Sequence, residues 1–335
     1  MRLGVLDQSP IPAGSSPQQA LQCTVALARR AEALGYHRYW VAEHHGSRSF
    51  AGSAPEILIA HLAACTQRIR VGSAGVMLMH YSPLKVAEWF KVLASLHPGR
   101  IDLGIGRAPG SDGLTAAALA YGSRIGPEYL PTKIADLQAW LADEPPITKA
   151  FAGVTAAPRV ERGPDLWMLG SSEEGARIAA HFGLPFSYAH FINPDHAERA
   201  CALYRESFQP TSELPRPLVN LGVFVLCADR EEHAERLAGA RDLWRLRVER
   251  GEFGPFPSPE EVAAHVPSAD ERERIDSRRK HQILGTRDAV AEQLRALAAR
   301  TGAEELSVVS ITHDFADRLR CYELLAETFI DAEQA

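Results

Sequence analysis

The stretch Val41-Ala-Glu-His-His45 closes a short apolar run with a carboxylate and two adjacent imidazoles. Imidazole titrates near neutrality, and a neighbouring carboxylate such as Glu43 can fix its tautomer, so the trio suits proton transfer. Metal ligation fits less well. Successive side chains of a strand point to opposite faces, so His44 and His45 cannot share one ion without a bend, and no His-x-His occurs in the chain. A lone histidine at a strand end is more often structural than catalytic, and convergence with other polar groups is what changes those odds.

A second candidate is Leu169-Gly-Ser-Ser172, followed by Glu173 and Glu174. Gly170 allows close approach to the backbone, Ser171 and Ser172 supply hydroxyl and N–H donors, and the first N–H groups of the helix that starts here favour an anion. The same residues also read as an ordinary serine N-cap with an acidic first turn. Arg107, at a strand end, is a cation for the same phosphate. Thr286, as the N-cap in "LGTRDAV" (284–290), marks a competing phosphate site. The third candidate is Ser73-Ala74-Gly75, where small residues either leave room for a flat ligand or permit close core packing.

These residues need a frame. β-rich runs at 2–7, 38–43, 69–78, 101–106, 166–170, 185–191, 217–228 and 305–311 alternate with helical runs, the first of them at 16–35. Such alternation implies parallel pairing through right-handed crossovers. Eight units favour an α/β fold closed into a (β/α)8 TIM barrel, which leaves no edge strand, over an open doubly wound sheet. The spacing of Gly104, Gly106 and Gly110 is wrong for a dinucleotide-binding turn, and no Gly-x-Gly-x-x-Gly follows the first strand. In a barrel the loops after the strands meet at one mouth. It should receive Asp7 to Ser9, Glu43 to His45, Ser73 to Gly75, His80, Tyr81, Arg107, Gly170 to Ser172 and His190. One domain over 1–335 is expected, with insertions at about 107–160 and 250–282. Stretches 107–130 and 250–282 are read as lids over the mouth, although the charge run of the latter equally fits a solvated loop.

Composition sets the remaining bounds. With 46% hydrophobic and 23% charged residues among 335, the chain can bury a large core, and wholesale disorder is excluded. A net charge of -6 argues against nucleic acid or an anionic membrane surface as partner. The five cysteines are odd in number and lack any Cys-x-x-Cys pair, so reduced thiols in a cytoplasmic protein are expected rather than disulfides or zinc. The four-residue apolar run before Asp7 is too short for a signal peptide.

The set "VAEHH", "RVGSAGVMLMHYSPLKVAE", "HPGRIDLGIGRAPGSD" and "WMLGSSEEGARIAAHFGLPFSYAHF", with "ILGTRDAVAEQLRALAARTGAEELSVVSITHD" near the end, resembles the bacterial luciferase-like flavin monooxygenases, in particular their single-chain group. Each motif alone is weak, but their order along nearly the whole chain is specific. The resemblance implies flavin mononucleotide (FMN) in the mouth of a TIM barrel, beside a non-proline cis peptide at Ser73–Ala74 or Ala74–Gly75. It places the phosphate on Arg107, Gly170, Ser171 and Ser172, with Leu169 also among the cofactor-binding residues. Its active-site histidine falls on His44, with His45 following in the motif. A second arginine usual in the family is matched here only by Arg124. The implied reaction transfers one oxygen atom of O2 to a small organic substrate, with reduced FMN supplied by a separate NAD(P)H-dependent flavin reductase, in a homodimer. Two alternatives stay open: a deazaflavin (F420)-dependent oxidoreductase on the same barrel, and a non-catalytic flavin-binding protein.

Overall fold

The computed structural model describes residues 1–122 and 126–330. It opens with β1 (Arg2–Asp7), α1 (Pro17–Ala33), β2 (Arg38–Val41), α2 (Pro55–Cys65), β3 (Arg70–Met77), α3 (Pro83–Leu96) and β4 (Ile101–Gly106). Ser16 caps α1 and Gln19 closes a capping box. Proline then opens α1, α2 and α3 alike, where its missing N–H costs nothing. Next come α4 (Gly113–Ala120), α5 (Leu130–Leu141), β5 (Asp165–Gly170), α6 (Glu173–His181), β6 (Phe186–Ala189) and α7 (Ala197–Ser207). The chain finishes with β7 (Val219–Ala228), α8 (Glu231–Glu249), α9 (Pro259–Ala264), α10 (Ala269–Arg279), β8 (Ile283–Thr286), α11 (Arg287–Thr301), β9 (Glu305–Val309) and α12 (Phe315–Phe329).

Eight strands close the expected barrel in the order β1-β2-β3-β4-β5-β6-β7-β9, and the circle is completed by parallel pairing of β9 with β1. The eight runs read from the sequence are these eight strands. A ninth, β8, lies outside the circle. β7 spends Asn220–Phe224 on β9 and Val225–Ala228 on β8, so its far end leaves the barrel to form a short side ribbon.

Contacts between non-neighbouring strands define the inside. Arg38 of β2 donates to Asp102 of β4 at 2.5 Å and to Glu305 of β9 at 3.3 Å, and its guanidinium carbon lies 5.1 and 4.7 Å from the ring centroids of Trp40 and Trp167. Arg70 takes the other oxygen of Asp102 at 2.5 Å. Asn220 accepts from Ser187 and donates to Ser307 beside them. This plug fills the N-terminal end. The opposite strand parity, with Val5, Val41, Val71 and Leu103, packs against the helices in one continuous apolar core. Gly72 and Gly104 are where β3 and β4 come closest. A Cβ on Gly72 would lie 2.4 Å from the Asp102 carbonyl oxygen, and one on Gly104 would lie 2.2 Å from that of Ser73. Close packing is therefore a sufficient reason for these glycines.

Both inserted regions are built rather than loose in their described residues. Within the first, α5 packs on α3 as the barrel's fourth covering helix, and the buried Lys91 binds Asp143 at 2.6 Å. In the second, the charge run forms α9 and α10, each opened by a serine capping box, and Arg279 ties α10 to Asp242 of α8 at 2.7 Å. No helix among the described residues is long and apolar enough to cross a membrane.

Candidate active site at the barrel mouth

Strand parity sorts the Glu43-His44-His45 trio. Arg38, Trp40 and Ala42 point inward, so His44 follows them into the mouth while Glu43 and His45 turn outward. Glu43 is buried and fully used: it accepts from the Met77 backbone N–H at 3.0 Å and the Tyr81 hydroxyl at 2.8 Å, and pairs with His45 Nε2 at 2.6 Å. The carboxylate therefore orients His45, not His44. Its bonds also pin the end of β2 to the turn after β3.

His44 stacks on Phe50 with ring centroids 4.4 Å apart, and its backbone N–H donates to Gly52. Its Nδ1 is buried without a hydrogen-bond partner. Burial, followed by the neighbouring His45, pushes the His44 imidazole down to about 4. At neutral pH the ring is uncharged and has a nitrogen to spare.

The cis peptide lies at Ala74–Gly75. Of the three small residues, Ser73 spends its hydroxyl on Gly104, donating to the carbonyl oxygen at 2.9 Å and accepting from the N–H at 3.1 Å. A Cβ on Gly75 would come within 2.8 Å of the Gly104 carbonyl oxygen. Ala74 alone joins the apolar cluster of the mouth, with Leu6, Ala42, Phe224, Leu226 and Val309.

Arg107 and the start of α6 come together as the sequence implied. The Ser171 carbonyl is turned toward Tyr188 and Asn193, which donate to it at 3.2 and 3.1 Å, while Ser172 caps α6 by accepting from Gly175 N–H. Arg107 pairs with Glu174 in the first turn, so its guanidinium stands at the helix N-terminus. A Cβ on Gly170 would meet Gly175 Cα at 3.4 Å and the Phe186 ring at 3.5 Å. Guanidinium, serine hydroxyls and first-turn N–H groups form a donor set suited to a phosphate. Leu169, one residue earlier, packs inward against Gly104. The competing Thr286 sits on β8, outside the barrel, with the Glu231 carboxylate against Gly285, which opposes an anion there. Arg124 lies outside the described residues.

Several expected mouth residues are elsewhere. Asp7 is fully buried on the outer face of β1, bound by Arg318 of α12 at 2.7 Å and by Tyr39 at 2.5 Å. Ser9 hydrogen-bonds Thr24 of α1. Both serve the seam between barrel and helices. His190 has the outward parity of Tyr188. Burial, then His281 and Arg300, push it down to about 4 away from the mouth. The sequence reading also missed one wall: Trp244 of α8 stacks on Phe256 at 4.8 Å, Phe50 meets both, and Arg241 lies over Phe224. The available signal was a helical face, Leu237, Ala238, Arg241 and Trp244, at spacings of three and four residues.

A closed parallel barrel with an anion cradle and a neutral buried imidazole at its C-terminal mouth has the layout of a barrel enzyme. Residues 1–305 match the family model described as luciferase-like monooxygenase, and the chain belongs to that family of flavin-dependent monooxygenases. It is 36% identical to N-acetyl-S-alkylcysteine monooxygenase of Bacillus subtilis (strain 168), over 100% of both chains. The crystal structure of apo-MsnO8 superposes with a TM-score of 0.91 and 41% identity, covering 98% of each chain. The fold alone is shared, at 20% identity and a TM-score of 0.72 over 98% of this chain and 97% of the other, with the oxygenating constituent of 3,6-diketocamphane monooxygenase from Pseudomonas putida, whose structure holds FMN.

Proposed function

We propose that this protein takes reduced FMN from a separate NAD(P)H-dependent reductase and uses O2 to oxygenate a small organic substrate in the barrel mouth. The observation that carries this reading is the meeting, at one end of the barrel, of the Arg107 cradle and the neutral His44 with its partnerless Nδ1. Arg107, Ser171, Ser172 and the first N–H groups of α6 would hold the phosphate, and Ala74 would present the only small inward side chain of its strand segment to the flavin ring. Bound reduced flavin supplies the electrons that activate oxygen.

The chain's own residues do the rest. His44, uncharged at neutral pH, accepts or passes on a proton at Nδ1. Glu43 and His45 hold the loop that carries it. Phe50, Phe224, Trp244 and Phe256 form an apolar wall that keeps water from the reacting atoms. The substrate named for the Bacillus relative is a thioether with an amide and a carboxylate, which supports a small organic molecule here too.

Anaerobic titration with photoreduced FMN, followed by mixing with oxygenated buffer, tests the proposal. Binding, together with reoxidation slowed at least about tenfold relative to free reduced FMN, is expected. Binding of reduced deazaflavin in preference to FMN, or reoxidation at the free rate, would replace the proposal with the deazaflavin or non-catalytic reading.

A further inference from the structure

We propose that Arg241 and Arg245 form an anion subsite in the mouth that takes the carboxylate of the oxygenation substrate. This rests on reading the mouth as the monooxygenase site, and it adds the substrate class: small organic acids with an apolar or thioether arm.

The geometry begins with α8. Its face toward the barrel carries Leu237, Ala238 and Trp244, which pack in the mouth cluster with Phe224 and Phe256. Arg241 belongs to the same face, its guanidinium carbon 3.6 Å from the centroid of the Phe224 ring on the inner side of β7. Arg245, one turn on, lies 5.3 Å from the Trp244 ring. Among the described residues neither guanidinium has an ion pair or a hydrogen bond. The acids nearest to them are already engaged: Asp242 holds Arg279 and Gln282, and Glu249 holds Arg274 and Arg278. The buried arginines Arg38 and Arg318 are compensated, Arg38 by Asp102 and Glu305 and Arg318 by Asp7.

A half-buried cation without a counter-charge is unfavourable, and an arriving anion relieves it. Burial, then Arg245, hold Arg241 down to about 9, the signature of a positive charge short of a partner. A guanidinium fork matches a carboxylate in two parallel hydrogen bonds, and the rings of Phe224 and Trp244 would receive the apolar arm. The flavin phosphate is the other anion in play, but its cradle is at the ends of β4 and β5, separated from β7 by β6.

The test uses 3-(methylthio)propanoate and 3-phenylpropanoate, each beside its neutral carboxamide, with tryptophan fluorescence of the flavin-free protein as readout. Each acid should bind at least about tenfold tighter than its amide, a preference of the size one charge-assisted contact gives. Arg241→Gln should erase that preference while leaving FMN affinity unchanged, and Arg241→Met, which keeps the stem over Phe224, should do the same. The proposal is overturned if wild type shows no preference, or if both variants keep it. It is equally overturned if the variants instead lose discrimination between FMN and riboflavin, which would assign the arginines to the flavin phosphate. Failure of wild type to bind FMN would remove the flavin reading and leave the acid-against-amide comparison intact.

Discussion

Arg38 and Arg241 both turn into the same barrel, at opposite ends. Arg38 is enclosed by Asp102, Glu305, Trp40 and Trp167, and every nearby charge has its opposite within 3 Å. Arg241 has an aromatic ring beneath it and no acid, and across the mouth His44 keeps a buried nitrogen without a partner. The closed network can only hold the strands together. The open one carries unmet electrostatic demand, which a ligand can satisfy, and stable folds tolerate such violations where function needs them. On the proposed function, one barrel separates the two tasks along its axis, with stability at the N-terminal end and chemistry at the other.

Breaking the plug should have the largest effect. Arg38→Met removes the central cation and leaves the buried Asp102 with Arg70 and the buried Glu305 with Arg2, and a loss of about 3 kcal/mol in urea denaturation is expected. An unchanged midpoint would mean that the plug is not a charge lock. At the mouth, His44→Ala should leave FMN affinity within about twofold and lower reductase-coupled turnover by roughly 10²–10⁴. Full turnover in that variant would remove His44 from the mechanism.

A subtler pair sharpens the contrast through pH. His37, His44 and His190 are all pushed from 6.5 down to about 4, in each case chiefly by burial. The unfolded chain therefore binds more protons than the folded one between these values. Stability should be flat above pH 6.5 and fall as pH drops toward 4. His190→Asn should make that fall shallower in thermal melts and leave FMN binding untouched, because the residue faces the helices. A slope identical to wild type would contradict this placement.

The barrel was legible because helical runs separated the strand runs. β8 was not, since its four residues run straight into α11 and read as that helix's cap. The lid readings missed that α10 is anchored, because its partner Asp242 is 37 residues away in sequence. Asp7 and His190 were misplaced for one physical reason. Strands buried on both faces show no polar alternation, so the parity that points inward is hidden until neighbours are known. His44, Arg107 and the Gly170–Ser172 turn could be singled out from the sequence because each sits within a short motif. Trp244, Arg241 and Arg245 could not be singled out in that way, since only the packing of α8 brings them to the mouth cluster.

The account rests most on the Arg107 cradle as the phosphate site, and one flavin titration tests it directly. FMN and riboflavin differ only in the phosphate, so their affinities for wild type and Arg107→Ala, read by quenching of flavin fluorescence, isolate that contact. Wild type should bind FMN at least about tenfold tighter than riboflavin, and the variant should lose most of that preference while still binding riboflavin as before. Equal affinity of wild type for the two flavins, or an unchanged preference in Arg107→Ala, would contradict the account.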